Sequence, residues 1–164
     1  MKKQIAIILS ALLIASLLGA CAGGETVPTK VMAEFDSLNG YTVSYPEEYE
    51  PSSLSHDIDF VIMDSVSGST ATIHTKRNVG EITEESFVAD MAADGMEIDV
   101  DSFSTELIGE NEATVVSYTY NENEITEVIY FSGKKAFFAT YTELPGAHSE
   151  FRKDMLGVIR SLTF

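Results

Sequence analysis

The 164 residues carry 26 Asp and Glu against ten Lys and Arg, a formal charge of −16. Lys2 and Lys3 stand at the extreme N-terminus, and without them eight cations face 26 acids, a net of −18. A surface of that sign repels phosphate backbones and anionic headgroups, which bind through clustered Lys and Arg, so nucleic acid is left out as a partner.

Met1-Lys2-Lys3 precedes an apolar run from Ile5 to Leu18, broken only by Ser10 and Ser16. The run is shorter than the ~20 residues a spanning helix needs, and its charged flank fits a secretory signal peptide. It ends in Leu18-Gly19-Ala20-Cys21. This resembles the lipobox of bacterial lipoproteins: an aliphatic residue, two small residues that admit the backbone to a membrane peptidase, and a thiol that takes a diacylglyceryl group. The resemblance implies cleavage between Ala20 and Cys21, loss of residues 1–20, and fatty acyl chains such as palmitate on Cys21. The lipid bilayer is then a partner, and the domain stands outside the cytoplasm on a bacterial cell envelope. Cys21 is the only cysteine, so no internal disulfide can form.

Residues 21–33 carry adjacent glycines, Pro28 and no apolar periodicity, and read as a flexible tether. Residues 34–164 are long enough for one domain with its own core. Tyr41 to Tyr45 alternates, with Tyr41, Val43 and Tyr45 on one face and Pro46 ending the strand. Asp59 to Asp64 and Thr70 to Thr75 read as a hairpin about Ser67-Gly68-Ser69, with His74 pointing outward. Ile82 to Asp94 reads as a helix, N-capped by Thr83 and ended by Gly95, with Phe87, Val88, Met91 and Ala92 on one stripe. Phe103–Ile108, Ala113–Tyr120, Glu124–Phe131 and Lys135–Tyr141 follow as a meander rich in good strand formers. Phe151, Met155, Val158, Ile159 and Leu162 then recur at helical spacing. The class expected is α+β: an antiparallel sheet of six or seven strands with helices packed on it.

Gly40-Tyr41-Thr42-Val43-Ser44-Tyr45-Pro46-Glu47, a short strand ending in Tyr-Pro, resembles the opening motif of PsbP-like domains. The hairpin, the helix opening Thr83-Glu84-Glu85-Ser86-Phe87, and the meander follow in that family's order. The close, from Phe151 through Arg160-Ser161-Leu162-Thr163-Phe164, is similar to its final helix and closing strand. The resemblance implies a sheet sandwiched by helices, as in PsbP and the Ran-binding Mog proteins, and a binding or accessory role without catalytic residues. Where the family often places a tryptophan after Tyr-Pro, this chain has Tyr49.

The sequence offers little chemistry. Gly-x-Ser-x-Gly is absent, and Gly133-Lys134-Lys135 lacks the upstream glycine of a phosphate loop. The histidines His56, His74 and His148 are single and far apart, a poor basis for zinc. Asp94, Glu97, Asp99 and Asp101 crowd one connection, with Glu110 beyond, and are the candidate cation ligands. An EF-hand count from Asp99 fails, since Phe103 stands at a ligand position and Ser104 at the required glycine. Seven aromatics on three neighbouring strands, Tyr118, Tyr120, Tyr130, Phe131, Phe137, Phe138 and Tyr141, are expected to fill two cores. The function expected is a non-catalytic, membrane-anchored lipoprotein that docks on another envelope protein and uses no cofactor. The alternative is a lipoprotein that binds a small ligand or a cation.

Overall fold

The computed structural model describes residues 30–55 and 58–164. The signal peptide, the lipobox with Ala20 and Cys21, most of the tether, and His56 lie outside the described residues.

The chain runs through β1 (Met32–Asp36), β2 (Thr42–Pro46), β3 (Ile58–Met63) and β4 (Thr70–Arg77) to α1 (Glu84–Ala93). It continues through β5 (Asp99–Ile108), β6 (Asn111–Tyr120), β7 (Asn123–Ser132) and β8 (Lys135–Glu143) to α2 (Ser149–Val158). β1 and β2 form a small antiparallel sheet. The other six strands make one antiparallel sheet in the order β3-β4-β8-β7-β6-β5. The class is α+β, as the sequence implies.

Strand alternation gives this sheet two buried faces. On one face Ile73, Val128, Tyr130 and Phe137 pack against Tyr41, just before β2, against Val43 of β2, and against Phe151, Met155 and Ile159 from α2 and its end. On the other, Val116, Tyr118, Ile129 and Phe138 pack against Phe87 of α1. The aromatics divide between the two cores as expected, except Phe131, which stays 41% exposed. Outward-pointing His74 is not simply solvated: its ring stacks on Phe138 at 4.8 Å.

The ends of α1 follow from its sequence. Thr83 Oγ1 accepts from Ser86 N–H at 3.2 Å, and Ser86 Oγ accepts from Thr83 N–H at 2.9 Å, a reciprocal cap. At the other end Gly95, at φ +80°, donates to Ala92 O, and Met96 donates to Met91 O, closing a Schellman motif. Thr83→Ala should therefore cost about 1 kcal/mol in urea unfolding. Equal midpoints for variant and parent would show that the cap contributes nothing.

Two strand starts and one helix face differ from the sequence reading. β1 begins at Met32, so the domain takes up two residues assigned to the tether. β5 begins at Asp99 rather than Phe103, because Asp99 and Val100 pair with Thr119 and Tyr118 across a bulge at Asp101. The buried stripe of α1 is narrower than expected: Phe87 is buried and Met91 half-buried, while Val88 and Ala92 are exposed.

The tail beyond α2 returns to β2. Thr42 and Thr163 exchange backbone hydrogen bonds at 2.9 and 3.0 Å, and Ser44 N–H donates to Ser161 Oγ at 3.0 Å. The closing strand is thus a single bridge. Tyr49 sets its ring edge-on to Phe151 at 5.6 Å and donates to Asp154 at 2.9 Å, which ties the segment after β2 to α2.

Candidate functional site

The four candidate cation ligands do not converge. Asp94 caps the C-terminus of α1, Glu97 lies in the connection, and Asp99 and Asp101 belong to the edge strand β5, all exposed. Among the described residues no group of three or more His, Cys, Asp or Glu is placed to hold a metal ion. They are strung along the helix end, the connection and the bulged start of the edge strand, with their side chains in solvent. His148 occupies the N-cap position of α2 and makes no side-chain cap bond.

The structure does bring together two basic pairs that the sequence keeps apart, Lys76-Arg77 and Lys134-Lys135. β4 and β8 pair with Arg77 opposite Lys135, and Asn78 N–H donates to Lys134 O at 2.8 Å. Ser37 to Gly40, the β1–β2 turn, approaches from the small sheet. Lys135 Nζ donates to the Asn39 carbonyl, and Gly40, at φ +93°, lies beside that ammonium. The result is a cleft of about 430 Å³ between Asn39, Gly40, Arg77, Asn78, Ser132, Lys134, Lys135 and Phe137.

Asp59 fixes the shape of that turn. Its carboxylate accepts from the Ser37 hydroxyl, from Tyr41 OH at 2.6 Å and from Asn39 Nδ2 at 3.2 Å. Burial, reinforced by the Asp59 carboxylate, pushes the Tyr41 phenol far above its ordinary range, so it stays protonated and donating.

Charge is distributed unevenly over the domain. Arg152 pairs with Glu124 and Glu143, and Arg160 pairs with Glu106 at 2.8 Å, holding the Glu106 carboxyl below its usual value. Lys76 lies over the Phe138 ring at 5.0 Å. Arg77 and Lys134 have no ion-pair partner among the described residues, and no carboxylate lines their cleft.

Two further clefts are differently lined. One of about 430 Å³ lies between Val79–Ile82 and β5–β6, with Phe131 at its edge and Glu81 and Glu112 in its wall. Another of about 510 Å³ lies beside Asp36, Leu38 and Asp59.

No family model matches this chain, and no curated protein does. Among solved structures, the solution structure of cyanobacterial PsbP (CyanoP) from Synechocystis sp. PCC 6803 is similar, with a TM-score of 0.59 at 10% identity. The match covers 87% of this chain and 98% of that one. The domain has the PsbP-like fold. A crystal structure from Bacteroides thetaiotaomicron VPI-5482 matches with a TM-score of 0.49 at 15% identity, over 79% of this chain and 47% of that one. At such identities only the architecture passes across, and the cleft in the PsbP-like domain is read from its own residues.

Two features, the cleft and a buried carboxylate on β7 away from it, are not read from the sequence. The cleft depends on the register of β4 against β8, which no local pattern encodes. Glu127 was lost among 26 acids, although its place between Ile125 and Ile129 on the buried alternation of β7 was a visible signal.

Proposed function

We propose that the chain is an exported lipoprotein. Acylated Cys21 tethers a non-catalytic, PsbP-like binding domain to the outer side of a cell-envelope membrane, where it docks on another envelope protein. The observation that carries this reading is Leu18-Gly19-Ala20-Cys21 at the end of an apolar run with a basic flank. Two or more acyl chains, at about 0.8 kcal/mol per buried CH2, give stable anchoring where one chain holds only reversibly. Tethering raises the local concentration of the domain near membrane partners, so weak intrinsic affinity suffices. The excess of acid steers it toward basic partners, with association slowing as salt screens exposed charge beyond about 8 Å.

Intact mass of the membrane-extracted protein should show a chain starting at Cys21 with added acyl mass. Cys21→Ala should leave an unprocessed, lipid-free precursor. A mature chain that starts elsewhere and carries no lipid overturns the anchoring. Crosslinking in native membranes should capture a partner protein. Turnover of an ester, phosphate, glycoside or peptide substrate, lost on changing one residue, would make the protein an enzyme instead.

A further inference from the structure

We propose that the cleft between the β1–β2 turn, the end of β4 and the β7–β8 turn binds a small phosphate-class oxyanion, held by Arg77, Lys134 and Lys135. This goes beyond the docking reading and does not depend on it. The first support is electrostatic. Lys30 apart, seven cations belong to the domain, and three of them face this one cleft. A surface so rich in carboxylates has ample means to pair them, as it does Arg152 and Arg160, yet among the described residues no Asp or Glu lines the cleft. Three cations gathered without counter-charge repel one another, and an anion in their midst relieves that repulsion.

The second support is the donor set and how firmly it is placed. Arg77 presents a planar fork that suits two oxyanion oxygens, and Lys134 adds a mobile point charge. The Asn78 and Ser132 side chains supply neutral donors at the rim. Asn78 is held in the left-handed region, φ 59°, by its bond to Lys134 O, so the β4 end and the β7–β8 turn keep a fixed spacing. Lys135 is fixed by the Asn39 carbonyl, and the Asn39 amide by Asp59. The cleft lies within the size range of small-ligand sites and has room for a phosphoryl group with a small body attached.

Scale decides the kind of anion. Screening at physiological salt limits exposed charges to about 8 Å. A small ion in the cleft therefore meets its three cations and little of the acidic surface beyond. A bilayer or a nucleic acid spans far more than that distance and meets the surrounding carboxylates as well. The occupant is a free oxyanion, not the headgroup layer of a membrane.

The test is calorimetric titration of the full-length protein in neutral detergent with pyrophosphate, at about 20 mM and about 0.5 M salt. Saturable one-site binding is expected at low salt, weaker at high salt. Arg77→Gln and Lys134→Gln should each weaken it by about tenfold, the loss of one charge-assisted bond. Lys153→Gln, which removes an exposed cation on α2, should leave it unchanged. Both cleft variants should keep the parent's circular dichroism, since neither side chain makes a hydrogen bond or ion pair to a described residue. No saturable heat, or equal weakening by Lys153→Gln, overturns the site. So does binding to phosphatidylglycerol vesicles with none to pyrophosphate. Pyrophosphate binding by a protein that captures no partner would keep this site and remove the docking reading.

Discussion

Ile159→Ala is expected to destabilise the domain by about 2–5 kcal/mol, the range for emptying a fully buried aliphatic position. Ile159 is 0% exposed at the C-cap of α2, packed in one cluster with Met155, Val158 and Leu162. Met155 and Ile159 lie one turn apart, and Ile159 N–H donates to Met155 O at 3.0 Å. Tyr130 OH also donates to Ile159 O at 3.1 Å, so this turn of backbone is bonded to the middle of the sheet and cannot easily sink into a cavity. Limited collapse keeps the cost toward the upper part of the range. Native stabilities are only about 5–15 kcal/mol, so the variant loses a large fraction of the total. Ile159→Val, which removes one methyl group, should cost only about 0.5–1.5 kcal/mol. Urea midpoints for the pair check the ordering; an Ile159→Ala midpoint equal to the parent's would mean that α2 is not seated on the sheet as described.

The elements legible in the sequence were those whose local pattern and final environment agree. β2 and α2 alternate or recur because each presents one face to a core, while the hairpin and meander strands are rich in strand formers because the sheet is covered on both faces. β1 was not legible. Of its two large apolar residues, Met32 and Phe35, Met32 stays exposed, and the strand is held by β2 and by Phe35 packing edge-on to Phe60 at 5.4 Å. The start of β5 was hidden for a similar reason. Asp99 to Ser102 has one apolar residue, Val100, and it becomes strand by pairing with the end of β6 and setting Val100 against the core under α1. Val88 and Ala92 show the converse error, apolar residues at the right spacing left in solvent because α1 meets the sheet along Phe87 and Met91. The cleft lies further from local reach. Lys76-Arg77 and Lys134-Lys135 read as two isolated basic pairs until the β4–β8 register sets Arg77 opposite Lys135.

Glu127 should make the domain less stable as pH rises from about 4.5 to about 7, against the common behaviour of surface carboxylates. It is 4% exposed, on the sheet face under α1, with Val116 opposite on β6 and Thr140 opposite on β8. Thr140 Oγ1 donates to Oε2 at 3.0 Å, and Oε1 has no hydrogen-bond partner among the described residues. Among charged and titratable neighbours, Tyr118 from β6 and Lys76 from β4 interact with it electrostatically. Burial outweighs the Thr140 bond and the attraction of Lys76, and raises the carboxyl from 4.5 to about 7. The sign then follows from proton counting. Between about 4.5 and 7 the folded state holds a proton that the unfolded state has released, so stability falls with pH across that window and levels off above it. A rise of that size corresponds to about 3 kcal/mol, at about 1.4 kcal/mol per pH unit. Asp64 and Glu106, whose carboxyls are lowered, act oppositely and only at more acid pH. Parent stability should therefore peak near pH 4.5–5. Glu127→Gln, which cannot ionise and keeps an acceptor for Thr140, should show no decline between pH 5 and 8 and should exceed the parent by about 2–3 kcal/mol at pH 8. Urea unfolding of both proteins at a series of pH values reads this directly. Parallel curves through neutrality would show that Glu127 ionises as freely in the folded domain as in the unfolded chain.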